Sequence, residues 1–140
     1  MTTPSVRLQF ESPSAHFQPG ERLTGRYQVE NLQSRSARAV ELSILWYTAG
    51  KGEEDIAVHH FERHVDESAR PLDLRVPHRF ATVLPASPLS YDGIIVKVCW
   101  CVRVRVFLSQ GQELVTETPF RLGNVPTASI ISTTDDTPAN

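Results

Sequence analysis

The sequence predicts an all-β chain folded as an antiparallel two-sheet β-sandwich. Three observations carry this. Apolar residues recur with a period of two along nearly every structured-looking run, clusters of turn-forming residues separate those runs, and no segment shows the 3.6-residue period of a helix.

The runs can be taken in chain order. Val6, Leu8 and Phe10 alternate with Arg7, Gln9 and Glu11. Gln18-Pro19-Gly20-Glu21 then has the chemistry of a type II turn, with Pro fixing φ and Gly accepting φ > 0. Leu23, Gly25, Tyr27 and Val29 share the next face, and a glycine inside an alternating strand marks a bulge or the close approach of another backbone. Val40, Leu42, Ile44 and Trp46 form a further face, closed by the charged hairpin tip Gly50-Lys51-Gly52-Glu53-Glu54-Asp55. From Ile56 and Val58 to Phe61 and Val65 the apolar face switches sides, which predicts a β-bulge near His59-His60. Leu72 to Leu84 alternates less cleanly, and Pro85 and Pro88 mark a crossing between elements because proline cannot donate a ladder bond.

The clearest strand is Ile94–Leu108. Ile94, Val96, Val98, Trp100, Val102, Val104, Val106 and Leu108 fall on one face, with Ile95, Lys97, Cys99, Cys101, Arg103, Arg105 and Phe107 on the other. Ser109-Gln110-Gly111-Gln112 reads as a hairpin turn into the run Leu114, Thr116, Thr118, Phe120, Leu122. Trp46 and Trp100 fall on inward faces and are expected in the core. Residues 1–125 are assigned to one sandwich, and residues 126–140, rich in Thr, Ser, Asp and Pro, to a flexible tail.

Composition bounds the function. The chain has 140 residues, 40% of them hydrophobic and 21% charged, with a net charge of −2. That suits one soluble domain with no strong pull toward nucleic acid or anionic membrane. The start Met1-Thr2-Thr3-Pro4-Ser5-Val6-Arg7 has no secretory pattern, no apolar run reaches the ~18 residues of a membrane span, and a cytoplasmic location is expected. Cys99 and Cys101, two apart on one strand face, would lie about 6.5–7 Å apart, at the limit of disulfide geometry, and are expected as free thiols.

Three stretches resemble the N-terminal domain of arrestins. Phe17-Gln18-Pro19-Gly20-Glu21-Arg22-Leu23-Thr24-Gly25 is similar to the family's F-x-x-G-E-x-φ-x-G entry. Phe80 through Leu84-Pro85-Ala86-Ser87-Pro88 resembles its F-x-φ-P segment, and Tyr91 through Leu108 its long Y-x-G-x-φ-φ-x-φ-x-W strand. The likeness covers roughly residues 5–125. It implies an immunoglobulin-like, arrestin-like sandwich and the habit of binding other proteins. Arrestins carry two such sandwiches, and the resemblance extends over one, so the family's interdomain contacts and phosphate sensing do not carry over.

Two clusters are candidate sites. Lys97, Arg103 and Arg105 form a basic row on the outer face of the long strand, where Arg forks could receive an acidic or phosphorylated peptide. His60, Glu62 and His64 share a face in a regular strand. As metal ligands they are poorly spaced, because His60 and His64 would stand about 13 Å apart while each His–metal bond is about 2 Å. The primary expectation there is a solvated strand face with charge pairs.

No nucleophile elbow, phosphate loop, dinucleotide fingerprint or zinc-protease helix is present. The expected function is therefore a noncatalytic protein-interaction module, adaptor- or scaffold-like, needing no cofactor. Its partner is another protein or a second copy joined through sheet edges. The alternative is a small-ligand or metal-binding β-sandwich protein using the His59–His64 segment.

Overall fold

A computed structural model describes residues 3–32 and 36–123; the assigned tail, residues 126–140, lies outside the described residues. The strands are β1 (Ser5–Phe10), β2 (His16–Phe17), β3 (Arg22–Glu30), β4 (Ala37–Gly50), β5 (Ile56–Val65), β6 (His78–Val83), β7 (Tyr91–Asp92), β8 (Val96–Leu108) and β9 (Glu113–Leu122). They form a three-stranded sheet in the order β1-β3-β6 and a six-stranded sheet in the order β2-β9-β8-β4-β5, with β7 extending the second alongside β8. The fold class is the expected sandwich. One pairing departs from the antiparallel rule: His16-Phe17 runs parallel to Arg121-Leu122.

The core lies between the two inner faces, where alternation put it. Val40, Leu42 and Ile44 of β4 meet Trp100, Val102, Val104, Val106 and Leu108 of β8, and all are buried. Opposite them stand Leu23, Tyr27 and Val29 of β3 and Phe80 of β6. Each such side chain contributes about 1.5–3 kcal/mol by leaving water, which is what fixes the register of every central strand. At one end Phe10, Phe17 and Phe120 meet edge to face, with centroids 5.7–6.1 Å apart.

The turn chemistry behaves as its residues require. Gln18 C=O accepts from Glu21 N–H at 3.0 Å, with Gly20 at φ +83° between them. Gly25 pairs with Phe10 on one side and Phe80 on the other; a Cβ there would stand 2.5 Å from Phe80 Cζ and 2.7 Å from the Gln9 carbonyl oxygen. The close approach expected at this glycine is therefore present.

Two expectations are corrected. The long strand begins at Val96 and not at Ile94: Ile94 is 90% exposed, in a turn held by backbone bonds from Gly93 to Val96 and from Lys51 to Ile95. Of the run Leu72–Leu84 only His78–Val83 is a strand. Pro71 and Pro77 cannot donate ladder bonds, and Leu74 is instead buried as a plug whose carbonyl accepts from Val29 N–H at 2.7 Å.

Candidate functional site

The functional candidates lie on the six-stranded sheet, whose inner face is core and whose outer face is not covered by the second sheet, although Ala39, Leu45 and Cys101 there are buried among their neighbours. Across that outer face the register sets Ile56, Val58, Phe61, Arg63 and Val65 of β5 beside Tyr47, Leu45, Ser43, Glu41 and Ala39 of β4. These in turn flank Cys99, Cys101, Arg103, Arg105 and Phe107 of β8.

The basic row occupies the expected place, but none of its members is free. Arg103 sits directly opposite Glu117, with Nε 2.6 Å from Oε2. Arg105 reaches diagonally to Glu113 at 2.7 Å, and Lys97 meets Asp92 at 3.3 Å. The guanidinium of Arg105 also lies 5.4 Å from the Phe107 ring centroid. The row is thus a set of cross-strand ion pairs, each worth about 0–1 kcal/mol at an exposed site.

The thiols between these charges are free. Burial pushes the Cys101 thiol up to about 11, with Glu117 adding to the effect. It remains protonated, and a poor nucleophile, at neutral pH.

His60, Glu62 and His64 share the inner face of β5, as their spacing predicts. There the sandwich opens at its side. Glu62 lies between the two imidazoles: Oε2 stands 2.7 Å from His60 Nε2 and Oε1 3.3 Å from His64 Nε2. The carboxylate thus engages Nε2 of each imidazole. Among the described residues no group of three or more His, Cys, Asp or Glu side chains is arranged to hold a metal ion.

The expected bulge is also present. Ile44 pairs with His60 and Leu45 with Val58, leaving His59 as the extra residue. Its ring turns off the sheet. His59 Nε2 lies 3.0 Å from the Val83 carbonyl and 3.2 Å from Thr82 Oγ1 of β6, and the ring meets Trp100 edge-on at 6.1 Å. His59 thus clamps the two sheets at their open side, a role the sequence did not assign to it, although the face switch marked its position.

The bulge has a second consequence. It sends the polar residues of β5 inward and the apolar ones outward: Ile56, Val58, Phe61 and Val65 are 46–59% exposed. β5 is moreover the last strand of its sheet. Asp66 N–H bonds Arg38 C=O and Thr48 N–H bonds Asp55 C=O, both at 2.9 Å. By the alternation of an antiparallel ladder, Phe61, Arg63 and Val65 then direct their N–H and C=O groups away from β4, as do Ile56 and Val58 before the bulge. No backbone hydrogen bond from another described segment reaches them. An apolar row and an unpaired backbone coincide on one edge.

Comparison with known proteins supports the fold. No family model matches the sequence, and no curated protein matches it. The crystal structure of Spo0M, a sporulation control protein from Bacillus subtilis, is similar over 89% of this chain and 51% of that chain, with a TM-score of 0.63 and 16% identity. Spo0M has an arrestin-like fold, so the architecture, though not family membership, agrees with the sequence resemblance. The chain spans about half the length of Spo0M. A superoxide reductase (neelaredoxin) from Ignicoccus hospitalis matches at a TM-score of 0.48 and 11% identity, too weak a likeness to support an argument. No helix among the described residues is long and apolar enough to cross a membrane.

Proposed function

We propose that this chain is a noncatalytic, arrestin-like protein-interaction module whose docking surface is the free edge of β5 together with the apolar row beside it. The observation that carries the reading is the coincidence of Ile56, Val58, Phe61 and Val65 on the solvent side of a strand whose outward backbone groups are unpaired. Edge strands usually blunt this hazard with charge. Here Arg63 is the one charge in the outer row and is already bound to Glu41, while the bulge at His59 and the inward polar residues His60, Glu62 and His64 restrict which segment can add to the edge. An extended segment added to such an edge gains backbone bonds for affinity and side-chain contacts for specificity.

The likeness to Spo0M, a sporulation control protein, supports a regulatory role over a catalytic one by fold analogy only. The test is affinity capture from native lysate with wild type, Phe61→Lys and Arg103→Glu baits. A partner held by wild type and Arg103→Glu but lost from Phe61→Lys supports the β5 surface. A partner lost only from Arg103→Glu moves the surface to the basic row, and no specific partner with any bait removes the reading.

A further inference from the structure

We infer that the occupant of the β5 edge is a second copy of the same edge, paired antiparallel about a two-fold axis at Arg63. This rests on the docking surface proposed above and names its partner.

The shape and polarity of β5 limit what it can accept. The bulge at His59 distorts the edge around Ile56–Val58, which leaves His60–Val65 as its regular part, with Asp66 just past its end still bonded to the Arg38 carbonyl. On this part the inward side chains His60, Glu62 and His64 are polar, and Asp66 follows them, its Oδ1 accepting from Leu72 N–H at 2.8 Å. Inward charge on an edge strand disfavours an arbitrary partner, which would bury it unpaired. A second copy in one register would not.

With Arg63 opposite its own mate, Glu62 falls opposite His64 and His60 opposite Asp66, each pair occurring twice by symmetry. Every inward position then meets a complementary group. On the outer face Phe61 falls opposite Val65, again twice, so both apolar residues on this part of the edge are covered. The two Arg63 side chains are the one like-charge pair. Each is held by its own Glu41 and lies 5.8 Å from its own Phe107 ring centroid, so the charge is balanced within each copy. Moving the axis to Phe61 would set the bulged His59 against Arg63 and lose these matches.

The backbone agrees. Residues Phe61, Arg63 and Val65 are those whose N–H and C=O groups point outward, and in this register they pair only with one another, giving about six intermolecular bonds. The contact joins two six-stranded sheets into one continuous sheet. A two-fold contact of this kind is self-limiting, because each copy has one such edge.

The test measures association and register separately. Sedimentation of the full chain from about 5 to about 500 µM should show a concentration-dependent dimer. Phe61→Lys should raise its dissociation constant at least about tenfold, a change of about 1.4 kcal/mol, while leaving the circular dichroism, and the melting temperature at concentrations where the chain is monomeric, unchanged. In a Cys99→Ser background, Arg63→Cys should form a disulfide-linked dimer on mild oxidation, because directly opposed hydrogen-bonded residues stand about 5.5 Å apart at Cα. Phe61→Cys should not.

A chain that stays monomeric throughout this range overturns the inference. So does a dimer unaffected by Phe61→Lys, or one crosslinked through position 61 and not 63. If the chain is monomeric yet Phe61→Lys still loses a captured partner, the docking surface stands and only the second copy falls.

Discussion

Strands β8 and β5 belong to one sheet, separated only by β4, and both alternate apolar with polar residues. Their apolar residues go to opposite sides. In β8 they face inward: Trp100 is 1% exposed, and Val102, Val104 and Val106 are fully covered. In β5 they face outward, at about half exposure, while His60, Glu62 and His64 look toward the interior. The difference is one of neighbours. β8 has a strand on each side and a second sheet beneath it, so turning its valines outward would forfeit several kcal/mol. β5 lies where the sandwich opens, where inward groups are only partly dehydrated and can satisfy one another. A strand at that position can display its apolar face at little cost.

Substitutions should separate the two regions sharply. Trp100→Ala removes the largest fully buried side chain, its contact with Phe120 at 5.7 Å and its Nε1–H bond to the Pro88 carbonyl. A loss of about 3–5 kcal/mol is expected in urea unfolding. Phe61→Ser, on β5, should cost under about 1 kcal/mol in the same assay run at a concentration where the chain is monomeric. Equal losses would mean that the outer face is covered in solution by something that the isolated fold does not supply.

Gly25→Ala comes next. Its new Cβ would press on the Phe80 ring and on the Gln9 carbonyl, the second of which cannot yield as a side chain does. Overpacking of this kind costs about 1–3 kcal/mol. Phe80→Leu in the same chain should restore only part of it, because the backbone contact remains.

His59→Ala tests whether the open side is clamped. The imidazole joins β5 to β6 through Thr82 and Val83 and borders Trp100. Its loss should cost about 1–2 kcal/mol, a hydrogen bond plus some ring contact. Hydrogen exchange should rise at β5 and β6 and not at β8. Uniform exchange would show that the two sheets hold together without this bridge.

The legible parts of the molecule were those set by local chemistry. The inner face of β8, the Pro19-Gly20 turn, the close approach at Gly25 and the bulge at His59 all follow from residue types read in order. The outward display on β5 does not. Alternation says which residues share a face, and the face switch locates a bulge, but neither says that the strand is an edge. The pairing of the basic row was closer to reach. Counting equal steps from the predicted four-residue turn Ser109–Gln112 sets Arg103 opposite Thr118, one residue away from the Glu117 that the ladder, centred on Gln110, places there. What the sequence could not supply was which strands lie next to each other without a hairpin between them, as with β8 and β4, and hence which edges remain.

The smallest expected effect bears on that basic row. Arg103 and Glu117 are partly exposed, at 30% and 42% for their side chains, so water screens the pair. A double-mutant cycle with Arg103→Gln and Glu117→Gln should give a coupling of about 0.2–1 kcal/mol that fades as salt is raised. The measurement matters more for function than for stability. A coupling at the upper end of that range, about fivefold in affinity, is a cost that an incoming acidic segment must offset to displace Glu117 from Arg103, and one that the unpaired edge of β5 does not impose. A coupling near zero would mean that the guanidinium is available after all, and capture by the Arg103→Glu bait would then be expected to fail alongside Phe61→Lys.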